Sequence, residues 1–97
     1  MFIIALNYIK TISEIEELIN AHNDFLNKYY AENKFLMSGR KNPRTGGVII
    51  VQNTTKEELD DIIKEDPFYK HQAAAYEITE FLPTKLHPDI ETILENL

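Results

Sequence analysis

Two stretches of this chain are apolar on almost every residue: Phe2-Ile-Ile-Ala-Leu-Asn-Tyr-Ile9 and Val48-Ile-Ile-Val51. Both are rich in β-branched and aromatic residues and read as strands. A strand with one wet face alternates apolar with polar residues, whereas an unbroken apolar run implies cover on both faces. These two strands are therefore expected at the centre of a sheet. The other two candidates differ, since Tyr76-Glu-Ile-Thr-Glu-Phe81 alternates and Phe35 to Lys41 carries Ser38 and Arg40.

Helical periodicity fills the gaps between the strands. From Ser13 to Asn33 the apolar positions Ile15, Leu18, Ile19, Phe25, Leu26 and Tyr29 follow the i, i+3, i+4, i+7 spacing of a buried stripe. Ser13 with Glu16 reads as an N-terminal capping box, and Asn33 as a left-handed stop. Asn42-Pro-Arg-Thr-Gly-Gly47 reads as a turn whose glycines permit positive φ, so residues 35–53 form a hairpin. Thr55 and Glu58 read as a second capping box, opening a helix with Leu59, Ile62 and Ile63 inward. Pro88 to Leu97 reads as a short amphipathic helix with Ile90, Ile93, Leu94 and Leu97 inward.

The resulting order is βαββαβ, the split βαβ pattern of ferredoxin-like α+β folds. Right-handed crossovers then put both main helices on one face of a four-stranded antiparallel sheet. The expected organisation is a single domain over residues 1–97, with a core of 1–85 and an added C-terminal helix at 88–97. Two helices cover one face only, yet the central strands call for cover on both. The simplest second layer is another copy of the same sheet, a homodimer through sheet faces forming a dimeric α+β barrel. The chain's own C-terminal segment is the competing cover, but it is short for a whole face.

Charge and composition exclude several classes of function. A formal charge of −6 with pI near 4.9 argues against nucleic acid, which needs a basic face. The trio Arg40, Lys41 and Arg44 is too small for that role but could hold one small anion. The chain contains no cysteine, so neither disulfides nor thiolate metal sites are available. No two histidines are spaced for a metal. No apolar run approaches the roughly 20 residues needed to span a bilayer, and the first residues lack the pattern of a signal peptide. The expectation is a cytoplasmic protein with no membrane partner, no metal and no cofactor.

Two residues break the apolar stripes. His22 lies seven positions after Ile15 and seven before Tyr29, so it should point into the core. The stripe of the second helix extends by the same spacing to Asp66, where a carboxylate at a helix C-terminus opposes the macrodipole. A carboxylate bonded to an imidazole fixes its tautomer and creates a base usable near neutrality. Each residue also has a structural explanation. Asp66 before Pro67 is a standard N-cap for a following helical turn, and His22 could be a hydrogen-bonded core histidine. Ser38-Gly39 offers either a simple bend or a hydroxyl and close backbone approach to a ligand. His71 and His87 are expected to be solvated.

Ala21-His22, Lys34-Phe-Leu-Met-Ser-Gly39, Asn42-Pro-Arg-Thr-Gly-Gly47, Glu65-Asp-Pro-Phe68 and Tyr76-Glu-Ile-Thr-Glu-Phe81 together resemble the YciI-like (YCII-related) family. The resemblance runs from Phe2 to about Lys85. It implies a ferredoxin-like domain that dimerises as an α+β barrel. It also implies an active site on a His-Asp pair matching His22 and Asp66, with Ser38-Gly39 nearby. One relative resembles a lyase-type enzyme that dechlorinates a hydroxylated aromatic ring, and related barrels hold isomerases and oxygenases. Arg40 stands where the family commonly has proline, which alters the pocket rim, and Asn33 stands where it commonly has glycine.

Two functions follow from these residues. In the first, His22 oriented by Asp66 is a cofactor-free general acid/base on a small polar or aromatic molecule, with Ser38, Gly39 and Arg40 positioning an oxygen or anionic substituent. In the second, the chain is a non-catalytic ligand-binding or dimerisation module, with His22 and Asp66 apart and His22 bonded to a backbone carbonyl.

Overall fold

The computed structural model describes residues 1–94. Its elements are β1 (Phe2–Tyr8), α1 (Ile12–Ala31), β2 (Phe35–Arg40), β3 (Gly46–Val51), α2 (Lys56–Ile63), α3 (Pro67–Lys70), β4 (Ala74–Glu80) and α4 (Pro88–Glu91). The four strands form one antiparallel sheet in the order β2-β3-β1-β4, so the two unbroken apolar runs are indeed central. This is the α+β, ferredoxin-like arrangement.

Register decides what each strand buries. Ile4 lies opposite Ile49 on one side and Ile78 on the other, which puts all three on the same face. That face receives Phe2, Ile4, Leu6, Ile49 and Val51, none more than 2% exposed. They pack with Ile15, Phe25 and Tyr29 of α1 and with Leu59, Ile62 and Ile63 of α2 in one core cluster. Each large side chain so buried contributes about 1.5–3 kcal/mol. The alternate residues Ile3, Ala5, Val48 and Ile50 point to the other face and are only partly buried.

Several local features differ from the sequence reading. α1 is capped by Thr11, not Ser13: the Thr11 hydroxyl accepts from the Glu14 amide at 3.2 Å and the Glu14 carboxylate accepts from the Thr11 amide at 3.0 Å. Both pairs fit the same motif, and the earlier start releases Glu16 to pair with Arg44 at 3.0 Å. The α2 box is half made. Thr55 accepts from the Glu58 amide, but the Glu58 carboxylate turns instead to the Lys34 ammonium and the Thr54 hydroxyl. At the end of α1, Asn33 takes φ 60°, the left-handed stop expected.

The paired glycines are not there for positive φ, since no glycine adopts it among the described residues. Gly46 is already in β3, and a Cβ at that position would stand 1.7 Å from the Leu6 carbonyl oxygen. Close approach of two strands, rather than turn geometry, demands this glycine. β4 likewise begins earlier than expected, because Ala74 pairs with Tyr8 across the sheet.

The C-terminal expectation needs the largest correction. α4 is a single turn, with the His87 ring accepting from the Asp89 amide at 3.2 Å, so His87 is a cap and not merely solvated. Ile90, Ile93 and Leu94 face the sheet but only partly bury, with Ile90 45% and Ile93 61% exposed, while Leu97 lies outside the described residues. Together with Phe81 to Leu86 these three line a groove of about 580 Å³ against Met1, Leu36, Met37 and Ile50.

Candidate active site

α1 holds His22 on the buried side of the helix, between the core residues Ile15 and Tyr29. Its side chain is 12% exposed. Of the two sequence readings of Asp66, the structure shows the N-cap before Pro67 and not the end of the second helix's stripe. α2 ends at Ile63, and Asp66 is the N-cap of α3, with Pro67 in the first helical position. The carboxylate therefore meets the favourable end of a helix, accepting from the Phe68 amide at 3.0 Å.

The two residues meet although they are 44 positions apart. Asp66 Oδ1 lies 2.7 Å from His22 Nδ1. The other oxygen, Oδ2, accepts the Tyr76 hydroxyl proton at 2.6 Å. Asp66 is completely buried and so draws on these three donors in place of water. An ionised carboxylate only accepts, so His22 Nδ1–H is the donor to it, and in the neutral ring the lone pair then lies on Nε2. Phe68 stacks on the imidazole with centroids 4.1 Å apart and planes 12° from parallel, which fixes the ring plane. Burial, and then the charge and hydrogen bond of Asp66, push the Tyr76 hydroxyl far above the usual tyrosine range, so it stays a donor.

A second cluster anchors the residue before Asp66. The Glu65 carboxylate accepts the Tyr29 hydroxyl at 2.5 Å and the Lys28 ammonium at 2.7 Å. Burial first, then Glu65, pushes the Tyr29 hydroxyl up to about 12. The same bonds, with Lys28 first, hold Glu65 below the usual carboxylate range. The α2–α3 connection is thereby tied to α1 two turns beyond His22.

A cavity of about 250 Å³ opens beside the imidazole. Its apolar wall comes from Leu6, Ile19, Leu26, Ile49 and Phe68, and its polar wall from Tyr8, His22, Asn23, Ser38 and Arg40, with the Gly39, Gly47 and Val48 backbones between. Ser38, Gly39 and Arg40 thus share a cavity with His22, while Asp66 stands behind the ring, off the cavity wall. Ser38 Oγ shares a 2.7 Å hydrogen bond with the Tyr30 hydroxyl. The basic trio does not converge: Lys41 donates to Asn7 at 2.8 Å, Arg44 pairs with Glu16, and Arg40 alone faces the cavity. Among the described residues no three His, Asp or Glu side chains are grouped to hold a metal ion.

Tyr76, Phe68 and Tyr30 were not among the expected site residues. Tyr76 had a legible signal: it occupies an inward position of an alternating strand, and an inward tyrosine hydroxyl wants a partner. Tyr30 had none, since it sits on the exposed side of α1 and meets Ser38 only through the packing of β2.

The YCII-related domain model matches residues 1–82 of the chain. No curated protein matches it. Among solved structures, the 5-chloro-2-hydroxyhydroquinone dehydrochlorinase TftG from Burkholderia phenoliruptrix AC1100, in complex with 2,5-dihydroxybenzoquinone, superposes with a TM-score of 0.68 at 18% identity. The match covers 84% of this chain and 94% of that one, and at such identity it is a likeness of fold. No helix among the described residues is long and apolar enough to cross a membrane.

Proposed function

The chain belongs to the YCII-related domain family, and from that premise we propose that it is a cofactor-independent enzyme of lyase or isomerase type. The observation that carries the reading is the 2.7 Å bond between His22 Nδ1 and a fully buried Asp66, which leaves Nε2 as the basic nitrogen on a residue of the cavity wall. In this mechanism Nε2 removes a proton from a C–H or O–H of a small polar or aromatic substrate. The imidazolium so formed is stabilised by the Asp66 charge, and the electron pair left behind either expels a leaving group or shifts along the substrate. Nε2 then returns the proton to the departing group, to a second carbon or to solvent. General acid–base help of this kind contributes about 10²–10⁴-fold.

TftG, by its name, dehydrochlorinates a chlorinated hydroxyhydroquinone, so hydroxylated aromatic rings are the first class to test. Purified protein is screened by thermal shift with phenolic, lactone and carboxylic compounds, starting with 5-chloro-2-hydroxyhydroquinone, and hits are assayed for turnover. His22→Ala is expected to lower turnover at least 100-fold, and wild-type turnover by that variant overturns the mechanism.

We also propose that two copies pair through their open sheet faces. Ile3, Val48 and Ile50 point to that face, Met37 there is 67% exposed, and Leu82 beside it is 80% exposed. A domain of this size buries only roughly 60–65% of its unfolded surface alone. Sedimentation at micromolar concentration is expected to give a dimer, and a stable monomer overturns it.

A further inference from the structure

The cavity beside His22 has a charge balance opposite to that of the chain. The sequence carries 16 acidic and 10 basic residues, yet among the described residues no carboxylate lines the cavity. The nearby acid, Asp66, is buried behind the imidazole with both oxygens engaged. Arg40 is the charged side chain on the wall, and among the described residues it forms no ion pair, whereas Arg44 is paired with Glu16.

The backbone around Arg40 leaves room for a ligand. Arg40 lies directly across β2 and β3 from Gly47, whose lack of a side chain keeps that part of the wall low. Ser38, two residues earlier on the strand, presents its side chain to the same face, about 6–7 Å away along the strand. Its hydroxyl is already oriented by Tyr30 at 2.7 Å. The cavity of about 250 Å³ falls just below the roughly 300–1,000 Å³ of drug-sized pockets, so a single ring with small substituents suits it.

We propose that this cavity takes a small carboxylic acid, with its carboxylate on the Arg40 guanidinium, its second polar group at Ser38 and its reacting end at His22. The inference rests on the reading of this cavity as the substrate site and adds the substrate's charge to it. A planar guanidinium binds a carboxylate through two parallel hydrogen bonds. In a chain of net charge −6, an anion is otherwise disfavoured near the surface, so local attraction within about 8 Å must supply the selectivity.

The test uses a matched pair, 2-hydroxybenzoate and 2-hydroxybenzamide, which differ in charge but barely in size. Each is titrated into the full-length protein with NMR detection of the His22 ring and arginine side-chain resonances, at low and high salt. The acid is expected to bind at least tenfold tighter than the amide, to shift both sets of signals, and to lose its advantage at high salt. In Arg40→Met, an exposed position where the fold is checked by circular dichroism, the preference is expected to fall below threefold. Arg44→Met is expected to keep it. Equal binding of the pair, binding of neither, or an undiminished preference in Arg40→Met overturns the proposal. Loss of charge preference alongside His22-dependent turnover overturns this inference alone and leaves the acid–base reading standing.

Discussion

Replacing Tyr76 with phenylalanine tests the heart of the site by deleting one oxygen. Among the described residues, the Tyr76 hydroxyl is the hydrogen-bond donor to Asp66 Oδ2, at 2.6 Å, and Asp66 has no exposed surface through which water could take its place. A hydrogen bond to a charged group contributes about 1.5–3 kcal/mol, and an orphaned buried charge puts the loss toward the upper part of that range. The ring is retained, including its edge contact with Tyr69 at 5.9 Å, so no sizeable cavity term adds to it. The expected loss is about 2 kcal/mol, equivalent to roughly 10 °C in Tm for a domain of this size. Urea unfolding at one fixed protein concentration reads it as a lower midpoint with unchanged m, because self-association would otherwise move the midpoint. Asp66→Asn supplies the second corner of a double-mutant cycle. Once the carboxylate is an amide, the hydroxyl loses its charged partner, so removing it should then cost about 1 kcal/mol less. A loss below about 0.5 kcal/mol for Tyr76→Phe, or strict additivity in the cycle, refutes the claim that this carboxylate is a charged group held by three donors.

Two further outcomes follow from particular groups. Burial first, then the bond to Glu65, raises the Tyr29 hydroxyl from the ordinary tyrosine range to about 12. The stability linked to its neutral form is therefore complete below the ordinary tyrosine range and is lost as pH rises toward 12. Wild type should lose stability relative to Tyr29→Phe over that window, and a constant gap from pH 9 to 12 contradicts a raised Tyr29 hydroxyl. At the start of α1, Thr11→Ala should lose about 1 kcal/mol while Ser13→Ala stays within about 0.5 kcal/mol. Equal losses in thermal melts would mean that the helix does not start at Thr11.

The elements of the fold were legible because they depend on neighbours a few residues apart. Apolar periodicity marked both main helices and all four strands, and unbroken runs marked β1 and β3 as central. Local ambiguity limited the boundaries. Thr11 with Glu14 and Ser13 with Glu16 satisfy one motif equally, and the folded chain uses the first, leaving Glu16 to pair with Arg44. Gly46 reads as a turn residue until β1 lies against it, when the Leu6 carbonyl shows why no side chain fits.

His22 and Asp66 stood out in the sequence as polar residues at inward positions, and that much required only helical spacing. What joined them was tertiary: the end of α2 and the Asp66-Pro67 cap bring the carboxylate back across 44 residues to α1. Asp66 is the N-cap that its place before Pro67 predicts, not the end of the α2 stripe, and that cap also points the carboxylate inward. Tyr76 on the carboxylate, Phe68 on the imidazole and Arg40 apart from its basic neighbours are likewise long-range facts. They depend on which strand edge and which helix end the packed core places together, and no local pattern encodes that juxtaposition.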